Sequence, residues 1–298
     1  MTAEKSKFTY MKKILVTGAN GQLGSEIKEL AANYPDFDFI FTDIADFPLD
    51  KTEEIVVNFK RIQPDIVINC AAYTAVDKAE EDQVTADAIN HLAIASLASL
   101  CYDSGAKLVH ISTDYVFDGV SPTAYKEDDK PNPKSVYGVT KLAGEIACAK
   151  NCPESIIIRT AWVYSEFGNN FVKTMLRLMS ERDTLNVVND QIGSPTYAAD
   201  LAQVILTILD SNKWESGIYH YSNEGEISWY DFAMDIKTIG QKSCDIKGIP
   251  ASSYPTPAER PAYSLLDKSK IAAVYGIVPV DYKTSLKIMM ERLEKHSN

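Results

Sequence analysis

Lys13-Ile14-Leu15-Val16-Thr17-Gly18-Ala19-Asn20-Gly21-Gln22-Leu23-Gly24 is the stretch on which the reading of this chain turns. Residues 13–17 form a short apolar run rich in β-formers, the pattern of a strand buried on both faces. The run passes straight into Gly18, Gly21 and Gly24, then into a helical pattern through about Ala32. Strand, glycine turn and helix in direct succession are the setting that a dinucleotide fingerprint requires. Gly18 permits a tight turn, Gly21 lets a pyrophosphate approach the backbone, and Gly24 lets the helix pack close to the strand. The amides and positive dipole end of the helix N-terminus suit phosphate groups. Gln22 and Leu23 lie in the same turn and are read with it as cofactor-binding.

Moving outward, residues 37–42 read as a second strand ending at Asp43, about twenty residues beyond the glycine turn. A carboxylate there can accept both ribose hydroxyls and would repel a 2′-phosphate. With no Arg or Lys close behind, this leans mildly toward NADH over NADPH. Leu49 and Asp50 are candidate adenine contacts, Asp50 equally an N-cap. Residues 65–70 read as a third strand leading into Ala71-Ala72-Tyr73-Thr74, where small residues leave room for a cofactor at the sheet's carboxyl edge. A helix over 83–104 carries Asn90, placed in the same cofactor set. A fourth strand over 106–111 opens into Ser112-Thr113-Asp114-Tyr115, polar residues where a strand leaves a buried sheet. A helix over 135–149 and a fifth strand over 155–159 complete the alternation.

Strands alternating with helices give an α/β fold, a Rossmann-type doubly wound parallel sheet. After Arg159 the alternation stops, and no linker sets the remaining residues apart. The expectation is a smaller, interleaved C-terminal substrate-binding domain. The Rossmann part would take 11–165 plus about 196–225, and the substrate part about 166–195 and 226–298. Residues 1–10 are expected to be a disordered extension.

Tyr137-Gly138-Val139-Thr140-Lys141 supplies the candidate chemistry. Of sixteen tyrosines, Tyr137 alone has a lysine four residues on. On a helix the two share a face. An ammonium beside a phenol favours the phenolate and lowers its pKa, giving a proton donor and acceptor usable near neutral pH.

Composition excludes several classes of function. A net charge of −11 and a pI near 4.9 argue against nucleic-acid and membrane partners. Five scattered cysteines without a paired spacing read as reduced thiols of a cytoplasmic protein. Four scattered histidines show no metal-site spacing. No unbroken apolar run reaches the ~18 residues that span a bilayer.

Together these pieces resemble the extended short-chain dehydrogenase/reductases, and more narrowly the dTDP-4-dehydrorhamnose reductase family. The matching stretches are TGANGQLG (17–24), NCAAYTAVDKAE (69–80), STDYVFDG (112–119), YGVTK (137–141), RTAWVY (159–164), DQIGSPTYAADLA (190–202) and RPAYSLLD (260–267), in the family's order. The resemblance implies NAD(P)H-dependent reduction of a sugar-nucleotide C4 ketone, with Thr113, Tyr137 and Lys141 as the catalytic set. Tyr137 would protonate the ketone oxygen, Thr113 would hydrogen-bond it, and Lys141 would hold the nicotinamide ribose. Thr74, Val76, Thr113 and Trp162 match positions lining the sugar site. Asn170, Gln191 and Arg260 would lie toward the nucleotide part of the substrate. Some members are Mg-linked dimers; no acidic motif here maps onto that metal site, and a homodimer is left open. The rivals are a sugar-nucleotide epimerase or dehydratase, and a non-catalytic regulatory subunit of methionine adenosyltransferase type. Such dehydratases place Asp-Glu after the catalytic Thr, whereas Thr113 is followed by Asp114-Tyr115.

Overall fold

The computed structural model describes residues 11–211 and 213–297; the expected extension at 1–10 lies outside them. Strands β1 (Lys12–Thr17), β2 (Phe37–Thr42), β3 (Ile66–Asn69), β4 (Lys107–Thr113) and β5 (Ile156–Thr160) join with Gly217–His220 in one sheet. The spatial order is Gly217–His220, β5, β4, β3, β1, β2, with every pairing parallel. The order reverses between β1 and β3, and ligands bind such sheets beyond the carboxyl ends of the strands at this switch.

Burial on both faces explains why the strand sequences are apolar throughout. Ile14 and Val16 enter one cluster with Ile27 of helix α1 (Gln22–Leu30) and Leu201 and Ile205 of the helix Ala198–Asp210. Leu15 enters the opposite cluster with Phe59, Leu97 and Cys148, which come from three further helices. A third cluster gathers the helices Phe171–Glu181, Trp229–Ile239 and Tyr282–Ser297 around the parallel strand pair Thr184–Val188 and Asp245–Ile249. The strand Asp245–Ile249 and the helix Ser269–Tyr275 have no counterpart in the sequence reading. In the first, Asp245, Lys247 and Gly248 are exposed, which leaves too little apolar alternation to signal a strand.

Two differences bear on the site. Strand β4 runs two residues past the expected Ile111, so Thr113 is its last residue and pairs with Thr160. The helical stretch 83–104 is interrupted by a π-helical turn, Ala88–Leu92, which carries Asn90. Such turns are rare and gather at functional sites. That stretch is also long and apolar enough, by length and composition, to cross a membrane, although no unbroken apolar run flags it. Here Ala93, Ile94, Leu97, Ala98 and Cys101 are buried in the cluster on that sheet face.

Candidate active site

A cavity of about 720 Å³ opens at the carboxyl end of the sheet. One end is the glycine turn. Gly18 has φ +67°, and a Cβ there would come within 2.7 Å of the Ala71 backbone. A Cβ on Gly24 would meet the Gly18 carbonyl at 2.3 Å, so Gly24 serves helix packing and does not line the cavity. No side chain caps the first turn of α1. Bare backbone at a helix N-terminus is what a diphosphate needs, so the residues present fit a dinucleotide.

Gly18, Gly21, Gln22, Leu23, Asp43, Leu49, Asp50, Ala71 and Ala72 all line this end, together with Ile44 and Phe47. Asp43 already accepts the amides of Asn20 and Ile44, each at 2.8 Å. Tyr73 does not line the cavity; its hydroxyl donates to Asp82 at 3.1 Å. Asn90 also stands behind the wall. It accepts the Tyr73 amide at 2.9 Å and donates to the Tyr73 carbonyl and to Thr140, both at 3.2 Å. Both residues therefore shape the loop after β3 from outside the cavity.

Thr113, Tyr137 and Lys141 line the same cavity toward its other end. Ser135 caps the helix Val136–Asn151, which carries Tyr137 and Lys141, its hydroxyl accepting the Gly138 amide at 3.2 Å. Gly138 fits only because it lacks a side chain: a Cβ would lie 2.3 Å from the Tyr115 carbonyl. That approach fixes the helix against the residues following β4. Lys141 is 2% exposed and donates to the Ile111 carbonyl at 2.6 Å. Burial holds its ammonium down to about 8, against an opposing pull from Glu145. The expected lowering of the Tyr137 pKa is not found. Burial pushes the phenol up to about 12, the Thr113 hydroxyl pulls the other way, and Asp114 raises it further. Desolvation outweighs the Thr113 hydrogen bond, Lys141 is not among the groups that shift the phenol, and Tyr137 is protonated at neutral pH, as a proton donor must be.

Thr74, Val76 and Trp162 line the remaining wall. Trp162 adopts φ +49° and stacks on Trp229, with ring centroids 3.6 Å apart. Three sequence expectations fall elsewhere. Asn170 caps the helix Phe171–Glu181 and donates to Gln22 at 3.0 Å and to the Ser165 carbonyl at 2.6 Å. Its neighbour Asn169 lines the cavity instead. Gln191 is off the cavity wall, and so is Arg260, whose guanidinium pairs with both oxygens of Asp77 at 2.9 and 2.7 Å. The sequence reading placed Asp114 and Tyr115 among the polar strand-end residues that are candidates for chemistry but assigned no role to Phe47 or Asn169; all four are on the wall. Among the described residues, no group of three or more His, Cys, Asp or Glu is placed to hold a metal.

Residues 11–295 match the family model described as RmlD substrate binding domain. The chain belongs to this family, that of the dTDP-4-dehydrorhamnose reductases. A dTDP-4-dehydrorhamnose reductase of Aggregatibacter actinomycetemcomitans is 40% identical over 93% of this chain and 98% of its own. The crystal structure of a dTDP-4-dehydrorhamnose reductase from Clostridium acetobutylicum is 41% identical, with a TM-score of 0.91 over 95% of this chain and 99% of that one. A reductase of the same family from Bacillus anthracis, solved in complex with NADP, is 36% identical with a TM-score of 0.90, covering 94% and 99%.

Proposed function

We propose that this chain reduces the C4 ketone of dTDP-4-dehydro-L-rhamnose to dTDP-L-rhamnose with NAD(P)H, in dTDP-rhamnose biosynthesis. One observation carries the reading. The glycine turn and the Thr113, Tyr137 and Lys141 set open onto one cavity, at opposite ends of a space suited to a dinucleotide. The names of the relatives favour reduction over the epimerase, dehydratase and regulatory-subunit alternatives.

A reduced nicotinamide bound here supplies the hydride. Tyr137 donates its proton to the ketone oxygen as charge develops there. Thr113 stands beside Tyr137 to bond the same oxygen. Lys141, anchored by the Ile111 carbonyl, is assigned to the ribose hydroxyls of the cofactor. Thr74, Val76 and Trp162 are assigned to the sugar. Arg260 is kept for the diphosphate, because a guanidinium fork that grips a carboxylate also fits phosphate oxygens. Asn170 is reassigned to holding Gln22 and the 165–170 loop. The thiols are unpaired, which suits the cytoplasm.

The test is a direct assay with dTDP-4-dehydro-L-rhamnose, comparing NADH with NADPH. Stoichiometric loss of reduced-nicotinamide absorbance with formation of dTDP-L-rhamnose is expected. No turnover with either cofactor, or tightly held cofactor regenerated in each cycle, would refute the reading.

A further inference from the structure

The proposed reduction leaves one buried acid of the cavity wall without a task. Asp114 follows Thr113 at the end of β4, lines the cavity and is 2% exposed. Its Oδ1 accepts the Thr113 hydroxyl at 3.0 Å, and its Oδ2 makes no hydrogen bond among the described residues. The groups facing it are the hydroxyls of Ser264 and Thr113, the backbone amides of Asp114 and Tyr115, and the phenols of Tyr115 and Tyr137. No cation is among the groups that shift Asp114, and Arg260, which acts on Tyr115, is already paired with Asp77. A buried carboxylate with no cation and one oxygen unbonded is disfavoured as an anion. Burial accordingly pushes Asp114 up to about 6, with Ser264, Thr113 and the backbone amides of Asp114 and Tyr115 opposing the shift.

The consequence falls on Thr113. A hydroxyl has one proton and two acceptor positions. Its oxygen already accepts the Tyr115 amide at 3.2 Å. While Asp114 is ionised, the Thr113 proton is committed to Oδ1. A ketone oxygen is itself only an acceptor, so Thr113 then has nothing to offer it. When Asp114 is protonated the direction reverses. Asp114 donates to Thr113, the two acceptor positions of Thr113 are filled by Asp114 and the Tyr115 amide, and the Thr113 proton turns to the substrate.

We propose that Asp114 is a positioning residue for the reduction, its acid form turning the Thr113 hydroxyl into a donor aimed at the ketone oxygen. This rests on the reductase reading. Asp114 loses no proton over the cycle. The ketone carbon gains a hydride, its oxygen gains the Tyr137 proton, and Tyr137 recovers a proton from solvent.

The experiment compares the full-length chain with Asp114→Asn and Asp114→Ala. It measures kcat against pH, and follows the Asp114 carboxyl by ¹³C NMR in the enzyme without substrate. In the parent chain kcat falls in two steps as pH rises. The lower step follows the Asp114 titration, and the upper follows Lys141, held down to about 8. In Asp114→Asn the amide N–H donates to Thr113 at every pH, so the lower step disappears and the upper one stays. Asp114→Ala loses about 10²-fold in kcat, the scale of a misplaced catalytic contact, and still binds cofactor. The proposal is overturned if Asp114→Asn keeps the lower step, or if the NMR signal titrates in the ordinary carboxylate range. Wild-type turnover in a folded Asp114→Ala overturns it as well. If the alanine variant does not fold, the asparagine variant and the NMR titration decide alone. Failure of the reductase reading looks different: the parent chain shows no turnover, while the NMR titration still reports on Asp114.

Discussion

Tyr137 and Arg260 mark the two chemical ends of the proposed substrate, and each predicts a separate kinetic signature. Tyr137→Phe removes the proton donor without disturbing the glycine turn, so kcat should fall by about 10²–10⁴ while cofactor affinity, measured by fluorescence titration, holds. Normal turnover would remove Tyr137 from the mechanism. Arg260 and Asp77 have side chains 25% and 41% exposed, so their pair contributes little to stability. Arg260→Ala should raise KM for the sugar nucleotide with small change in melting temperature and none in cofactor affinity; the reverse pattern would refute its placement. That Thr113, Tyr137 and Lys141 share one cavity is legible because four-residue spacing on a helix and a strand end are sequence features. The roles of Tyr73, Asn90 and Asn170 are not. Each lies within or beside a recognised motif, yet each turns its polar atoms to the protein's own backbone or side chains. The sequence shows Asp114 at a polar strand end, but the unpartnered oxygen on which its proposed part rests is something no spacing reveals.

At the level of elements, the β1–turn–α1 unit can be read from its own residues because its constraints are local. Gly18 needs a left-handed φ and its missing side chain admits the Ala71 backbone, and both demands belong to the same short turn meeting β3. Gly18→Ala should therefore do two things. It places a side chain in a conformation costing about 1–2 kcal/mol, and it pushes the turn away from Ala71. A lower melting temperature and a cofactor dissociation constant raised at least tenfold are expected; unchanged cofactor binding would show that the turn does not hold the dinucleotide. The strand Asp245–Ile249 is the contrasting case. It exists because Thr184–Val188 offers it a parallel partner from some sixty residues earlier, a condition set by tertiary structure. The helix over 83–104 shows in the sequence, but its π-helical turn does not: bringing Asn90 round to the Tyr73 backbone is a requirement of packing, with no mark in hydrophobic periodicity.

Across the whole molecule, the carboxylates of Glu26 and Glu166 meet beneath the glycine turn, tying α1 to the C-terminal helix. Arg292 reaches Glu166 at 2.6 Å and Glu26 at 3.4 Å, and Ser165 donates to Glu26 at 2.6 Å. Burial, reinforced by Glu166, raises Glu26 from 4.5 to about 8. The folded state thus holds a proton there that the unfolded chain releases, so this stabilisation is complete below about 4.5 and lost as pH rises toward 8. The melting temperature should decline across that window, and Glu26→Gln should flatten the decline; an identical slope in the variant would assign the titration elsewhere. The segment after β5 also meets the helix Trp229–Ile239 at the Trp162–Trp229 stack, nearly face to face at 13°. With only Trp214 besides, these two indoles account for most of the chain's tryptophan. Rings so close exchange excitation, so the folded chain should show a paired positive and negative band in circular dichroism. Its disappearance would report, in real time and without any label, the moment these two segments part.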